Sequence, residues 1–287
     1  MPRRNPPEIS PPPENQVVWS NHAQQWSRLG SPLRPSARDG EIMWQMIRDS
    51  VEKVPGGCRI VLLGVTPELV GLPWPADAEL LAIDKSPEMI ATVWDPNARI
   101  HSQVQPAWWQ AMPLAEGWAD TAIGDGSFNA LPALEDWTDV FEELARVLKP
   151  HGKVVARVYV RPDAREHLPV IVSDTLAGRI GILHALKWRL AMALVGGADA
   201  GVAVADIHKA FERHFPDRAA LAQNTGWPQE TIATIDAYRG MSTRYTFPTR
   251  AEIATACAGI FTLAESQAGD YELGERCPTM AFHRVPA

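Results

Sequence analysis

The sequence is short of cysteine, of glycine-rich phosphate loops, of excess positive charge and of long unbroken apolar runs. Its three cysteines, Cys58, Cys257 and Cys277, are odd in number and widely spaced, with no CxxC pair. This argues against a disulfide framework and against a metal site, and a reducing cytoplasm is the expected setting. Lysine and arginine number 27 against 34 acidic residues, a formal charge of -7. General nucleic-acid binders usually present a basic surface, so nucleic acid is not an expected partner. The most apolar segment, IGILHALKWRLAMALV at 180–195, is interrupted by His184, Lys187 and Arg189. It is short for a membrane span, and a helix with a buried face is expected there. The first sixteen residues, MPRRNPPEISPPPENQ, contain six prolines and no apolar centre. A disordered, Pro-rich tail is expected, not a signal peptide.

What is present suits one sizeable globular unit: 287 residues, 46% of them hydrophobic. No internal repeat is visible. DGEIMWQMIRDSVEKV places Ile42, Met46, Ile47, Val51 and Val54 on one helical stripe, ended by Pro55-Gly56-Gly57. Strands are expected at 59–65, 79–86, 98–105, 119–126 and 153–160. Between them, Ser86 and Pro87 open one helix. EDWTDVFEELARVLK (135–149) forms another, with Phe141, Leu144, Ala145 and Leu148 inward. Strands alternating with helices imply a Rossmann-like, doubly wound, mostly parallel sheet. From 162 to 245 only helices are legible. Two further strands, 261–268 and 279–285, suit an antiparallel hairpin at the sheet's edge, after a helix capped by Thr249 and Glu252. The expected organisation is the tail, 1–16, then a core with an amino-terminal cap segment, 17–161. A helical lid, 162–248, follows, and the closing helix and hairpin are 249–287.

The stretch IVLLGVTPELV bears on function. Dinucleotide loops use several glycines so that backbone N–H groups reach a pyrophosphate. Here Gly64 stands without GxGxxG, and Pro67 removes a donor where a phosphate needs one. A nicotinamide-dependent oxidoreductase is therefore disfavoured. Asp84 ends the next strand, twenty residues beyond Gly64. A carboxylate there accepts both hydroxyls of a ribose. A nucleoside without phosphates, seated over Gly64, satisfies both facts.

The order LLGVTPEL, ELLAIDKSPEMI, ADTAIGDGSFNAL and ELARVLKPHGKVVARV resembles class I S-adenosylmethionine-dependent methyltransferases over about residues 60–160. ELARVLKPHGK is the most specific piece, with His151 where the family commonly has glycine. The resemblance implies S-adenosyl-L-methionine as cofactor, held by Gly64, Thr66 and Pro67, by Asp84, Lys85 and Met89, and by Gly124, Asp125, Gly126 and Asn129. Leu62 and Thr66 depart from the family's first loop, which usually has an acidic residue and a second glycine there. Their loss shifts the methionine end toward Asp125. Trp108 and Trp109 suit either stacking on adenine or the core, and Met89 suits either a wall under adenine or the core. Arg34 suits a pairing with the methionine carboxylate or an exposed loop, and Trp26 sits in the same cap segment. His22, Tyr159 and His184 are the candidate catalytic residues, with Arg161 and His167 as further acceptor contacts. The implied function is in-line methyl transfer to a small metabolite or natural product. A non-catalytic protein binding the same nucleoside stays open as the alternative. The acceptor atom and the oligomeric state are not legible.

Overall fold

The computed structural model describes residues 29–196 and 201–286. The Pro-rich segment, His22 and Trp26 lie outside them. The strands are β1 (Arg59–Leu63), β2 (Glu79–Asp84), β3 (His101–Pro106), β4 (Ala119–Asp125), β5 (Leu148–Arg157), β6 (Val202–Ala203), β7 (Arg244–Tyr245), β8 (Phe261–Gln267) and β9 (Thr279–Arg284). The helices are α1 (Ala37–Val51), α2 (Pro67–Val70), α3 (Pro87–Val93), α4 (Glu135–Val147), α5 (Leu168–Leu176), α6 (Leu183–Leu194), α7 (Val204–His214), α8 (Arg218–Thr225), α9 (Gln229–Ala233) and α10 (Arg250–Ala256).

One seven-stranded sheet, in the order β3-β2-β1-β4-β5-β9-β8, organises the chain. Strands β1 to β5 are mutually parallel. β9 runs antiparallel to both β5 and β8, so it alone is reversed. The central strands are apolar on both faces because both faces are covered. On one face α1 presents Ile42, Met46 and Ile47 to Ile60, Leu62, Ile123 and Val155. A capping box starts that helix: Ser36 Oγ accepts from the Asp39 N–H, and the Asp39 carboxylate accepts from the Ser36 N–H. On the other face α4 buries Phe141, Leu144 and Val147 against Ala122, Val154 and Phe282. The Phe141 ring meets Phe128, Phe261 and Phe282 at centroid distances of 4.8, 5.7 and 5.2 Å.

Two local expectations need correction. The fifth strand starts at Leu148, inside the stretch expected to be helical. Pro150 disfavours helical geometry at Lys149, so the backbone is already extended at Leu148. Gly152 then passes so close to Leu148, Lys149 and Asp120 that a Cβ there would lie 2.9–3.1 Å from their atoms. The stretch 162–245 is also not purely helical, because β6 and β7 pair within it. Its helices share one apolar cluster that includes Leu186, Trp188, Leu190, Phe211 and Tyr238, together with Leu33 ahead of α1. α6 is buried on nearly every side. No described helix is long and apolar enough to cross a membrane.

Candidate functional site

The strand order reverses direction between β1 and β4. In open parallel sheets ligands bind at that point, outside the carboxyl ends of the strands. Gly64 follows β1 there, with its N–H still bonded to Ile83 O at 2.8 Å. Its φ of +100° requires glycine. A Cβ at this position would lie 3.9 Å from both Asp84 Oδ2 and Ser127 Oγ. At this switch point, where open sheets have their ligand crevice, Gly64 thus lies with a carboxylate on one side and a hydroxyl on the other. The Ser127 hydroxyl donates to Leu63 O at 2.5 Å, which ties β4 to β1. Gly124 permits this approach, since a Cβ there would lie 2.8 Å from Ser127 Oγ. Thr66 is buried and its side chain makes no cap bond to α2, which opens with Pro67.

Asp84 Oδ1 accepts the Ser86 N–H at 2.8 Å. Burial pushes the Asp84 carboxyl up to about 6, against the pull of the Ser86 N–H and Lys85. Lys85 Nζ lies 4.0 Å from the Trp108 ring centroid. Burial lowers the lysine's pKa, opposed by the charges of Asp84 and Asp136. The Trp109 indole N–H donates to Ile83 O at 2.6 Å, and Met89 packs into the cluster under α1. Both residues therefore serve the fold at this edge, and Trp108 is partnered by Lys85.

Asp125 is placed differently from its expected role. Its carboxylate forms an ion pair with Arg157 Nε on β5, with both side chains buried. Burial raises the Asp125 pKa, and Arg157 counters it. Arg157 also donates to Pro32 O at 2.9 Å and to the Tyr271 hydroxyl at 2.8 Å. The Asp125 charge is countered by Arg157, so a ligand's ammonium or sulfonium would have to compete for it. Arg157 was not foreseen. Its signal is a charged residue within VVARV, level with Asp125 on the neighbouring strand.

Other candidates are also corrected. Asn129 is fully buried. Its side-chain N–H groups donate to Tyr159 O and Thr246 O at 2.9 and 2.7 Å, and its carbonyl accepts from the Tyr159 N–H at 2.8 Å. It clamps the backbone and has no group left for a cofactor. Tyr159 is buried against Gly126, where a Cβ would come within 2.9 Å of its hydroxyl. Burial pushes its pKa well above the usual value, which makes it unfit as a base. His184 packs within α6 in the helical insertion. Arg34 forms an ion pair with Glu68 on α2, so a ligand carboxylate would have to compete for it. The structure brings together Gly64, Thr66, Pro67, Asp84, Lys85, Trp108, Gly126 and the unforeseen Ser127.

Comparison with known proteins adds the deciding observation. The family described as "Methyltransferase domain" matches residues 65–156, from the loop after β1 through nearly all of β5. Residues 65–156 thus match a methyltransferase domain, in line with the resemblance to class I S-adenosylmethionine-dependent methyltransferases. Among solved structures, the chain is similar to a Rhodobacter sphaeroides protein provisionally labelled a Zn-dependent alcohol dehydrogenase. The TM-score is 0.60 at 15% identity, covering 96% of this chain and all of that one. It is also similar to a SAM-dependent methyltransferase from Aquifex aeolicus, with a TM-score of 0.48 at 14% identity, covering 92% of this chain and 98% of that one. At such identities the first likeness speaks for the fold alone, and the second carries no weight. No characterised sequence matches the chain closely.

The crevice fits the methyltransferase cofactor, S-adenosylmethionine. A buried carboxylate with a raised pKa lacks hydroxyl donors, and a ribose supplies two of them. No phosphate has to be accommodated beside Pro67. A pH dependence follows. In the free protein Asp84 takes up a proton as the pH falls through about 6. Ribose hydroxyls stabilise the charged form, so binding lowers this pKa and releases a proton near pH 6. Affinity for S-adenosylhomocysteine is expected to fall as pH drops from 7 to 5. Calorimetry at pH 6 in buffers of different ionisation enthalpy should show that release.

Gly64→Ala supplies a second prediction. Forcing a Cβ onto φ +100° is expected to cost roughly 1–3 kcal/mol of stability. The new methyl would also stand in the crevice, so affinity for S-adenosylhomocysteine should fall. Chemical denaturation and calorimetry on the same variant measure both effects.

Proposed function

We propose that the protein transfers the methyl group of S-adenosylmethionine to a small-molecule acceptor by in-line displacement. The observation that carries this reading is the switch point at the β1–β4 reversal, with Gly64 beside the buried carboxylate of Asp84. When bound, the cofactor supplies an electrophilic methyl on a sulfonium. Asp84 holds the ribose, and Gly64 keeps a side chain out of the crevice. Water exclusion falls to the elements at the carboxyl end of the sheet: the segment ahead of α1, whose Pro32 carbonyl takes Arg157, and the helical insertion that follows β5. Alignment and desolvation then account for most of the acceleration. Among the proposed catalytic residues, His22 lies outside the described residues, while Tyr159 and His184 are buried in packing roles. A base is needed only where the acceptor must lose a proton during the step.

The small-molecule reading rests on the chain's negative charge and on the insertion standing at the same end of the sheet as the crevice. Incubation with methyl-labelled S-adenosylmethionine and a cell extract, followed by size fractionation, tests it. Label in the low-mass fraction supports the reading. Label confined to protein or nucleic acid overturns it. Binding of S-adenosylhomocysteine with no label in any fraction favours the non-catalytic alternative.

A further inference from the structure

Beyond the end of β5 the chain runs through Arg161 and Arg165 toward the helical insertion. A cavity of about 200 Å³ opens there, lined by Arg161, Arg165, Glu166, Met192 and Val195 among others. It lies at the same end of the sheet as Gly64 and Asp84. β5 stands two strands from β1, about 10 Å away at the usual strand spacing. Arg161 and Arg165 lie four and eight residues beyond Arg157, which is level with Asp125, so the cavity stands further out along the strand direction than the crevice.

The charges around the cavity do not balance locally. Glu166 is taken by Arg189 and by Arg276 at 2.9 Å. Arg161 gives its Nη2 to Glu252 at 2.5 Å, but its Nε is buried with no hydrogen-bond partner. Arg165 donates Nε and Nη2 to one acceptor, Ala193 O, at 2.9 and 2.6 Å. Among the described residues no carboxylate pairs with Arg165. Among the described residues the cavity thus has one guanidinium without a counter-ion and an apolar wall of Met192 and Val195. A cap on the last turn of α6 explains why Arg165 meets Ala193 O. It does not explain the open volume beside the guanidinium. A planar carboxylate matches guanidinium donors in geometry and charge.

We propose that this cavity holds the carboxylate of a small-molecule acceptor, with Arg165 on the anion and Met192 and Val195 against its apolar body. The acceptor class is then a small carboxylic acid. The word acceptor rests on the methyltransferase reading, whereas the anion site does not.

Benzoate and its uncharged counterpart benzamide are suitable probes, titrated by ligand-detected NMR or calorimetry into the wild-type chain, Arg165→Gln and Arg179→Gln. Arg179 is an exposed arginine outside the cavity. Wild type should bind benzoate at least tenfold more tightly than benzamide. Arg165→Gln should raise the benzoate Kd at least tenfold, and Arg179→Gln should leave it unchanged. Equal affinity for the two probes, no binding of benzoate, or equal loss in both variants would overturn the proposal. Because the comparison of the two probes uses the wild-type chain, it stands even if a variant fails to fold. S-adenosylhomocysteine is titrated into the same samples. Its retention alongside a failed benzoate result removes only the subsite. Its absence alongside Arg165-dependent benzoate binding removes only the methyltransferase reading.

Discussion

Asp84→Asn is expected to weaken S-adenosylhomocysteine binding by about 1.5–3 kcal/mol, a loss of roughly ten- to a hundredfold or more. The substitution keeps an oxygen for the Ser86 N–H and so preserves the start of α3. What disappears is the charge that accepts ribose hydroxyls. Stability should move the other way. A carboxyl whose pKa is raised on folding to about 6 penalises the folded state above that pH, and the penalty fades as pH falls toward the unfolded value. Removing the charge at pH 7.5 relieves it, so the free variant should melt no lower than wild type. Weaker binding with unreduced stability is the mark of a ligand-binding carboxylate. A merely structural aspartate would give lower stability with unchanged affinity.

Arg157→Met should destabilise the protein by about 3–5 kcal/mol, because it leaves Asp125 buried without a partner. In a chain of this size that lowers Tm by something on the order of 10 °C. The single variant also strips Pro32 O and the Tyr271 hydroxyl of their donor. Adding Asp125→Leu should restore much of the loss, since an apolar pair tolerates burial where a lone charge does not. Differential scanning calorimetry of wild type, the two single variants and the double variant completes the cycle. A single-variant loss below about 1 kcal/mol would show that the pair does not hold β4 to β5.

The sheet was legible because its central strands are buried on both faces and write themselves as apolar runs separated by glycine and proline. The crevice was half legible. Gly64 and Asp84 stand out because a strand end, a turn and a carboxylate follow one another in local sequence. Ser127 and Arg157 did not stand out, because each acts across strands: Ser127 on Leu63 and Arg157 on Asp125. Asn129 was misjudged for the same reason. Its partners, Tyr159 and Thr246, are distant in sequence, and a polar residue in a turn gives no sign that every hydrogen-bonding group it has is engaged. The early start of β5 traces to one proline acting on the residue before it.

Calorimetric titration of the wild-type chain at pH 7.5 with S-adenosylhomocysteine and, separately, with NAD is the most direct measurement of the central claim. Saturable 1:1 binding of the first and no heat from the second is the expected result. Tight binding of NAD with none of S-adenosylhomocysteine would contradict the account.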